Sequence, residues 1–250
     1  MQLRFLGTGA AMPSPGRAQS GVLLSGDGEH LLVDCGSGVL GSLAETTPGY
    51  EAVDTVLLTH HHLDHVADLL PLLKARWLAG EESLRVVGPP GTESLVENLL
   101  EAHDYLRGRV DLTVSDHDGT VPALSGFDIA ARETVHSMQC FAYRLARGDG
   151  PSVVLGADSE ADDGLIRFAD GAAILVHDCS FPDDVDVSNH PTPSQLGAVL
   201  DGVDADIGRV YLTHFYPHTE GRHDEMLDSI SDHYDGDVAI AEDGLTVSVE

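Results

Sequence analysis

The sequence predicts an α/β fold in which helices cover β-sheets, and three observations carry that prediction. Thirteen short apolar runs, bounded by Gly, Asp and Pro, have the length and composition of strands. Four longer stretches between them have helical spacing. Several strand-like runs end in His or Asp, the place where ligands collect in open α/β sheets.

In chain order the strand-like runs are QLRFLG, GVLLS, HLLVDCG, TVLLTH, LRVVGP, VDLTV, FDIAAR, CFAYRLA, SVVLGAD, AAILVHD, RVYLTH, DVAIAE and LTVSV. The helical stretches are HVADLLPLLKARWLAG, GTESLVENLLEAHDYL, TPSQLGAVLDGV and HDEMLDSISDHY. In the second, Thr92 is expected as the N-cap, with Leu95, Val96, Leu99 and Leu100 on one face. Several strands, then strand–helix alternation, then strands again suggest helix-covered sheets rather than a parallel barrel. Composition is even and no linker separates two cores, so one domain is expected over residues 1–250.

Composition excludes several classes of function. An apolar content of 42% over 250 residues supports a substantial core, so global disorder is excluded. Against 42 acidic residues stand 13 basic ones, a formal net charge of −29, and Lys74 is the only lysine. Such a chain does not grip nucleic acid by bulk attraction. Its self-repulsion is screened at molar salt, where the Debye length is about 3 Å, and the composition resembles that of a salt-accumulating halophile's protein. No apolar run is long enough to span a bilayer, and MQLRFLGTGAAMPSPG lacks the apolar region of a secretory signal. Cys35, Cys140 and Cys179 are far apart and odd in number, so buried free thiols in a reducing cytoplasm are expected.

Histidine decides the chemistry. His60, His177 and His214 end strand-like runs, as do Asp34 and Asp158. The dense signal is Thr59-His60-His61-His62-Leu63-Asp64-His65, between an apolar strand and an apolar helix. Alternating residues of an extended segment point the same way, so His60 and His62 can chelate one ion. Asp64 and His65, where the chain turns into a helix, can address a second. His136, Asp158 and His214 complete a set of seven: His60, His62 and His136 for one ion, Asp64, His65 and His214 for the other, and Asp158 between them. Imidazole and carboxylate donors suit Zn²⁺ best, with Mn²⁺ or Fe²⁺ possible. A pair of ions about 3.5–4 Å apart serves hydrolysis. Asp34 reads equally as a partner orienting a ligand histidine or as a strand-end cap. His61 and His177 read as structural, His218 and His223 as solvated, and Gly7-Thr8-Gly9 as a tight turn or a weak phosphate cradle.

His60-x-His62-x-Asp64-His65 with His136, Asp158 and His214 resembles the metallo-β-lactamase superfamily. Within it the chain is similar to the ribonuclease Z group. FLGTGAAMPSPGRAQS, LLVDCG, VVGPPGT, TVHSMQCFAYRL, VHDCSF, NHPTPSQLGAVL and LTHF fall in that group's order. The resemblance implies a four-layer αββα sandwich, two zinc ions per chain, a homodimer and hydrolysis of a phosphodiester such as RNA or a nucleotide. It gives Asp64 two roles, ligand and orienter of the attacking water. It makes His190 the catalytic histidine, steadied by Asp178.

Some features depart from the group. Its tRNA-maturing members carry a long arm between the third histidine motif and the bridging aspartate. Here only 22 positions (158 − 136) separate His136 from Asp158. Asp178 stands where the group has Glu, Pro191 replaces a hydroxyl residue, and YPH follows LTHF where the group ends differently. Small, cyclic or short nucleotide diesters are therefore expected as substrates. tRNA 3′-end cleavage is the alternative, with thiolester or lactone hydrolysis or a non-catalytic metal module behind it.

Overall fold

The computed structural model describes residues 1–185 and 187–250. Six strands come first: β1 (Gln2–Gly7), β2 (Gly21–Gly26), β3 (Glu29–Val33), β4 (Thr55–Leu57), β5 (Ser83–Gly88) and β6 (Asp111–Asp116). Six more follow: β7 (Asp128–Glu133), β8 (Phe141–Ala146), β9 (Val153–Leu155), β10 (Ile174–Asp178), β11 (Arg209–Thr213) and β12 (Val238–Ile240). Finally β13 (Thr246–Ser248) returns to pair with β1, giving one sheet ordered β13-β1-β2-β3-β4-β5-β6 and another ordered β12-β11-β10-β9-β8-β7. All thirteen expected strands are present.

Each sheet combines antiparallel and parallel pairing. β3 to β6 run parallel in the first sheet, and β9 to β12 in the second. Their carboxyl ends lead into Asp34, Thr59-His60, Asp158, Asp178 and His214. The parallel halves of both sheets thus deliver polar side chains to one edge of the sandwich.

Helices cover the outer faces. α1 (Val39–Ala44), α2 (Leu63–Val66), α3 (Leu69–Ala79) and α4 (Thr92–Ala102) belong to the first half, and α5 (Asp163–Phe168), α6 (Pro193–Gly202) and α7 (His223–Ser231) to the second. Three apolar clusters fill the gaps. One, including Phe5, Leu31, Phe127, Tyr143 and Tyr211, lies between the sheets. A second packs Leu32, Val56 and Val86 against Leu43, Leu72 and Val96 of the first helices. The third packs Val154, Leu175 and Val210 against Ile166, Leu196 and Met226 of the others. This is the expected four-layer αββα sandwich. No helix among the described residues is long and apolar enough to cross a membrane.

The helices differ in detail from expectation. The stretch 65–80 divides into α2 and α3 because Asp68 is drawn away: its amide donates to Cys35 O (2.9 Å), and its carboxylate accepts from the amides of Gly38 (2.9 Å) and Leu40 (3.0 Å) at the start of α1. Gly91, with a positive φ, is the N-cap of α4; Thr92 is its first residue and donates from Oγ1 to Pro89 O at 2.7 Å. Val96 and Leu100 are buried on the expected face. α1 and α5 have six residues each, too few to show a helical period. α6 starts as expected, with Pro193 in its first turn and Thr192 N donating to Gln195 Oε1 at 2.9 Å.

Candidate metal centre

The loop Thr59–His65 is clamped from three sides. Thr59 N and Oγ1 both donate to Asp34, at 2.8 Å each. Phe141 N donates to Thr59 O (3.1 Å), and Tyr143 Oη to Leu58 O (2.8 Å). Cys35 N donates to His65 O at 2.7 Å, an approach that Gly36 permits, since a β-carbon there would lie 2.0 Å from Asp64 O. His60 and His65 are buried inside this clamp.

All seven expected ligands meet at the sheet edge. His60, His62, His136 and Asp158 bring donor atoms within 4.8 Å of one another, and Asp64, His65 and His214 do the same. Asp158 faces both groups: its Oδ2 is 3.7 Å from His60 Nε2, 3.8 Å from His136 Nε2 and 3.4 Å from His214 Nε2, and its Oδ1 is 3.4 Å from His65 Nε2. Asp64 Oδ2 lies 3.2 Å from His214 Nε2.

The ring nitrogens fit a cation. His60 Nε2 and His62 Nδ1 face each other at 3.0 Å, His62 Nδ1 and His136 Nε2 at 3.2 Å, and His65 Nε2 and His214 Nε2 at 3.4 Å. Outward-facing nitrogens are taken up by protein acceptors. His60 Nδ1 meets Thr59 Oγ1 (3.0 Å), His65 Nδ1 meets Asp34 Oδ2 (2.7 Å), and His214 Nδ1 meets Ser180 Oγ (3.0 Å). With their protons placed outward, as binding a cation would require, these rings would turn lone pairs toward a common space. Asp34 thus orients His65, and does so from a left-handed backbone (φ 61°) that Asp tolerates better than most residues.

Electrostatics agree with ligand chemistry at His60, His62, His136, Asp64 and Asp158, and His65 stands apart. Burial holds His60 well below the usual histidine range and pulls His62 and His136 down as well, so their imidazoles are neutral donors. Burial opposes charge on Asp158, yet His214, His65 and His60 outweigh it and keep the carboxyl well below its usual range. Asp64 is lowered in the same way, burial being outweighed by the hydrogen bond to His214. Burial also opposes charge on His65, where Asp158 and Asp34 prevail and push it well up.

His190 reaches the same space. One of its ring nitrogens lies within 4.8 Å of donor atoms of Asp158 and His214, and its ring stacks on that of His214 at 5.2 Å. Its Nδ1 is 2.9 Å from Asp178 Oδ2, so the shorter acid makes the contact. Burial works against charge on His190, and the hydrogen bond to Asp178 outweighs it, raising the ring above its ordinary value. Asp178 itself is fully buried and meets the space only through its contact with His190. Of the segment DVSNHPTP that carries His190, Asp186 lies outside the described residues.

The lesser histidines sort as follows. His61 turns away from the cluster, its Nε2 2.8 Å from Thr92 Oγ1. His177 is fully buried, with Nδ1 2.8 Å from Asp178 O, and is structural as expected. His218 is exposed. His223 is a correction: it is half-buried and packs on Phe215 at 4.8 Å. The phosphate-cradle reading of Gly7-Thr8-Gly9 also fails, because Thr8 N and Oγ1 already donate to Asp243 Oδ1, at 2.9 and 2.6 Å.

Three residues to which the sequence assigned no role complete the surroundings. Thr59 bridges Asp34 and His60, Ser180 holds His214, and Tyr216 N donates to Ser180 O at 3.3 Å while its ring stacks on Phe181. Three of the four residues from 178 to 181, Asp178, Ser180 and Phe181, therefore support His190, His214 and Tyr216. Burial, then Asp64, Asp158 and Asp178, push the Tyr216 phenol up to about 12. Lone hydroxyl and aromatic residues have no spacing to betray them; only the YPH departure marked this stretch.

Comparison with known proteins follows this geometry. A family model described as anti-Pycsar protein Apyc1 matches residues 1–228. The chain belongs to that family. It is also similar to the probable metallo-hydrolase YhfI of Bacillus subtilis (strain 168), 31% identical over 251 residues that cover 98% of each protein. The crystal structure of YhfI, a metallo-β-lactamase fold protein, superposes with a TM-score of 0.83 over 99% of both chains at 30% identity. Ribonuclease Z of Mycolicibacterium gilvum (strain PYR-GCK) is 30% identical over 277 residues, covering 100% of this chain and 96% of that one. Human tRNase Z, short form, shares the fold, with a TM-score of 0.79 at 23% identity and full coverage of both chains. This Apyc1-family chain is a metal-dependent hydrolase with the metallo-β-lactamase fold.

Proposed function

We propose that the chain is a dinuclear zinc phosphodiesterase acting on small nucleotide diesters. The observation that carries this reading is the double cluster, in which Asp158 faces His60, His62 and His136 on one side and Asp64, His65 and His214 on the other. Those residues would hold two ions, which when bound supply charge neutralisation at the phosphoryl group and a more acidic attacking water. Asp64 accepts a hydrogen bond from that water and so orients it. His190, outside the two ligand groups and fixed by Asp178, protonates the departing oxygen. Thr59, Asp34 and Ser180 keep the ligand rings aimed.

Substrate size follows from what connects the ligands. Between His136 and Asp158 the chain forms only β8, β9 and a short turn, so no arm extends there to bind a distant part of a tRNA. The net charge of −29 likewise disfavours long polyanions. In high KCl with zinc, bis-nitrophenyl phosphate and a cyclic nucleotide are expected to be hydrolysed, and a thiolester and a pre-tRNA left intact. Turnover of the thiolester alone would end the phosphodiesterase reading, and efficient pre-tRNA cleavage would end the small-substrate one.

A further inference from the structure

Tyr216 stands at the rim of the cluster in a way that its packing alone does not require. Its ring lies almost flat on Phe181, 4.5 Å between centroids and 23° between planes, and Phe181 is buried. The same ring is edge-on to His190 and to His214, 5.9 Å from each. Since those two imidazoles are themselves stacked, the three rings form a corner beside Asp64 and Asp158. The backbone is pinned on both sides, with the amide donating to Ser180 O (3.3 Å) and the carbonyl accepting from Thr219 Oγ1 (2.9 Å). The ring therefore has little freedom, yet its hydroxyl has no hydrogen-bond partner among the described residues. The ring is half-buried, so the hydroxyl is left free to bond a ligand at the rim.

The chemistry around it leaves a gap of matching type. Negative charge on a phosphoryl group spreads over its non-bridging oxygens, and each needs a cation or a donor. Asp64, Asp158 and Asp178 are acceptors only. No lysine or arginine pairs with any of the three among the described residues. His190 has one nitrogen committed to Asp178. A neutral donor on a fixed ring is what remains.

We propose that Tyr216 is a catalytic residue whose hydroxyl donates a hydrogen bond to a non-bridging phosphoryl oxygen of the bound diester. The inference rests on the phosphodiesterase reading above, and its test separates the two. Tyr216→Phe keeps the stack on Phe181 and removes only the hydroxyl, whereas Tyr216→Leu removes the ring. For each zinc-loaded protein, kcat and KM with bis-nitrophenyl phosphate, zinc content, and the affinity for inorganic phosphate by calorimetry are measured. Tyr216→Phe is expected to lower kcat roughly tenfold to a hundredfold and to weaken phosphate binding about tenfold, with zinc content unchanged. Wild-type kcat and phosphate affinity in Tyr216→Phe, with loss of both in Tyr216→Leu, would reduce the residue to packing and overturn the proposal. Loss of zinc in Tyr216→Phe would overturn it too, since the hydroxyl would then serve the ligands. Phosphate binding that depends on Tyr216 in a protein that hydrolyses no diester would keep the contact and remove the phosphodiesterase.

Discussion

The two flanks of the centre are held by different means. On one, the Thr59–His65 loop is locked by Asp34, Cys35, Phe141 and Tyr143, drawn from the ends of β3 and β8, and His60 is wholly buried. On the other, His190 and Tyr216 sit in loops, half-buried, and lean on the end of β10 and the residues just after it. The contrast teaches a division of labour. Residues that would bind metal need fixed lone pairs, which neighbouring strands supply. Residues that would meet the substrate need access, which only loops give.

Loss of Asp64 should break the contrast most severely. On the proposed assignment Asp64→Ala would remove a ligand and the orienter of the water together, and kcat should fall beyond measurement. The smaller loss is expected from His214→Ala under saturating zinc. A near wild-type rate in Asp64→Ala would sink the assignment. On the rim, His190→Ala should lower kcat by about 10²–10⁴, the usual worth of general acid assistance, with zinc content intact. The loss should be greater for alkyl than for nitrophenyl leaving groups; equal losses would exclude the acid role.

Behind the ligands the effect should shrink and change character. Asp34→Asn retains a residue that tolerates the left-handed backbone but loses the charge facing His65, and should cost about 10–100-fold in zinc affinity. Competition with a chromogenic chelator measures this, and unchanged affinity would return Asp34 to a strand-end cap. Lowering KCl from molar to dilute should affect neither flank selectively. It should depress the unfolding midpoint of the whole chain, because 29 uncompensated charges repel across a Debye length that grows from about 3 Å to about 30 Å. Circular dichroism at several salt concentrations decides, and a flat response would discard the halophilic reading.

Legibility in the sequence follows the same divide. Strands were readable because apolar runs with turn residues at their ends are a local signal, yet several stop short of the run that announced them. HLLVDCG ends as a strand at Val33, SVVLGAD at Leu155 and RVYLTH at Thr213. The chain leaves the ladder there through left-handed Asp34, Ala157 and His214, and that turn aims the functional side chains. The seven clustered residues were legible through the dense heptad and through histidines at strand ends. Ser180, Thr59 and Tyr216 were not, since each acts by a contact made only after distant strands meet.

The segment 178 to 181 has a consequence for how such a site changes over generations. Asp178 steadies His190, Ser180 holds His214 and Phe181 backs Tyr216, so the proposed acid, ligand and rim share one support. A slip of that segment by one position would misplace all three at once. A change of substrate preference is therefore more accessible through the loops that carry His190 and Tyr216 than through the strip beneath them, where one substitution would disturb several rings.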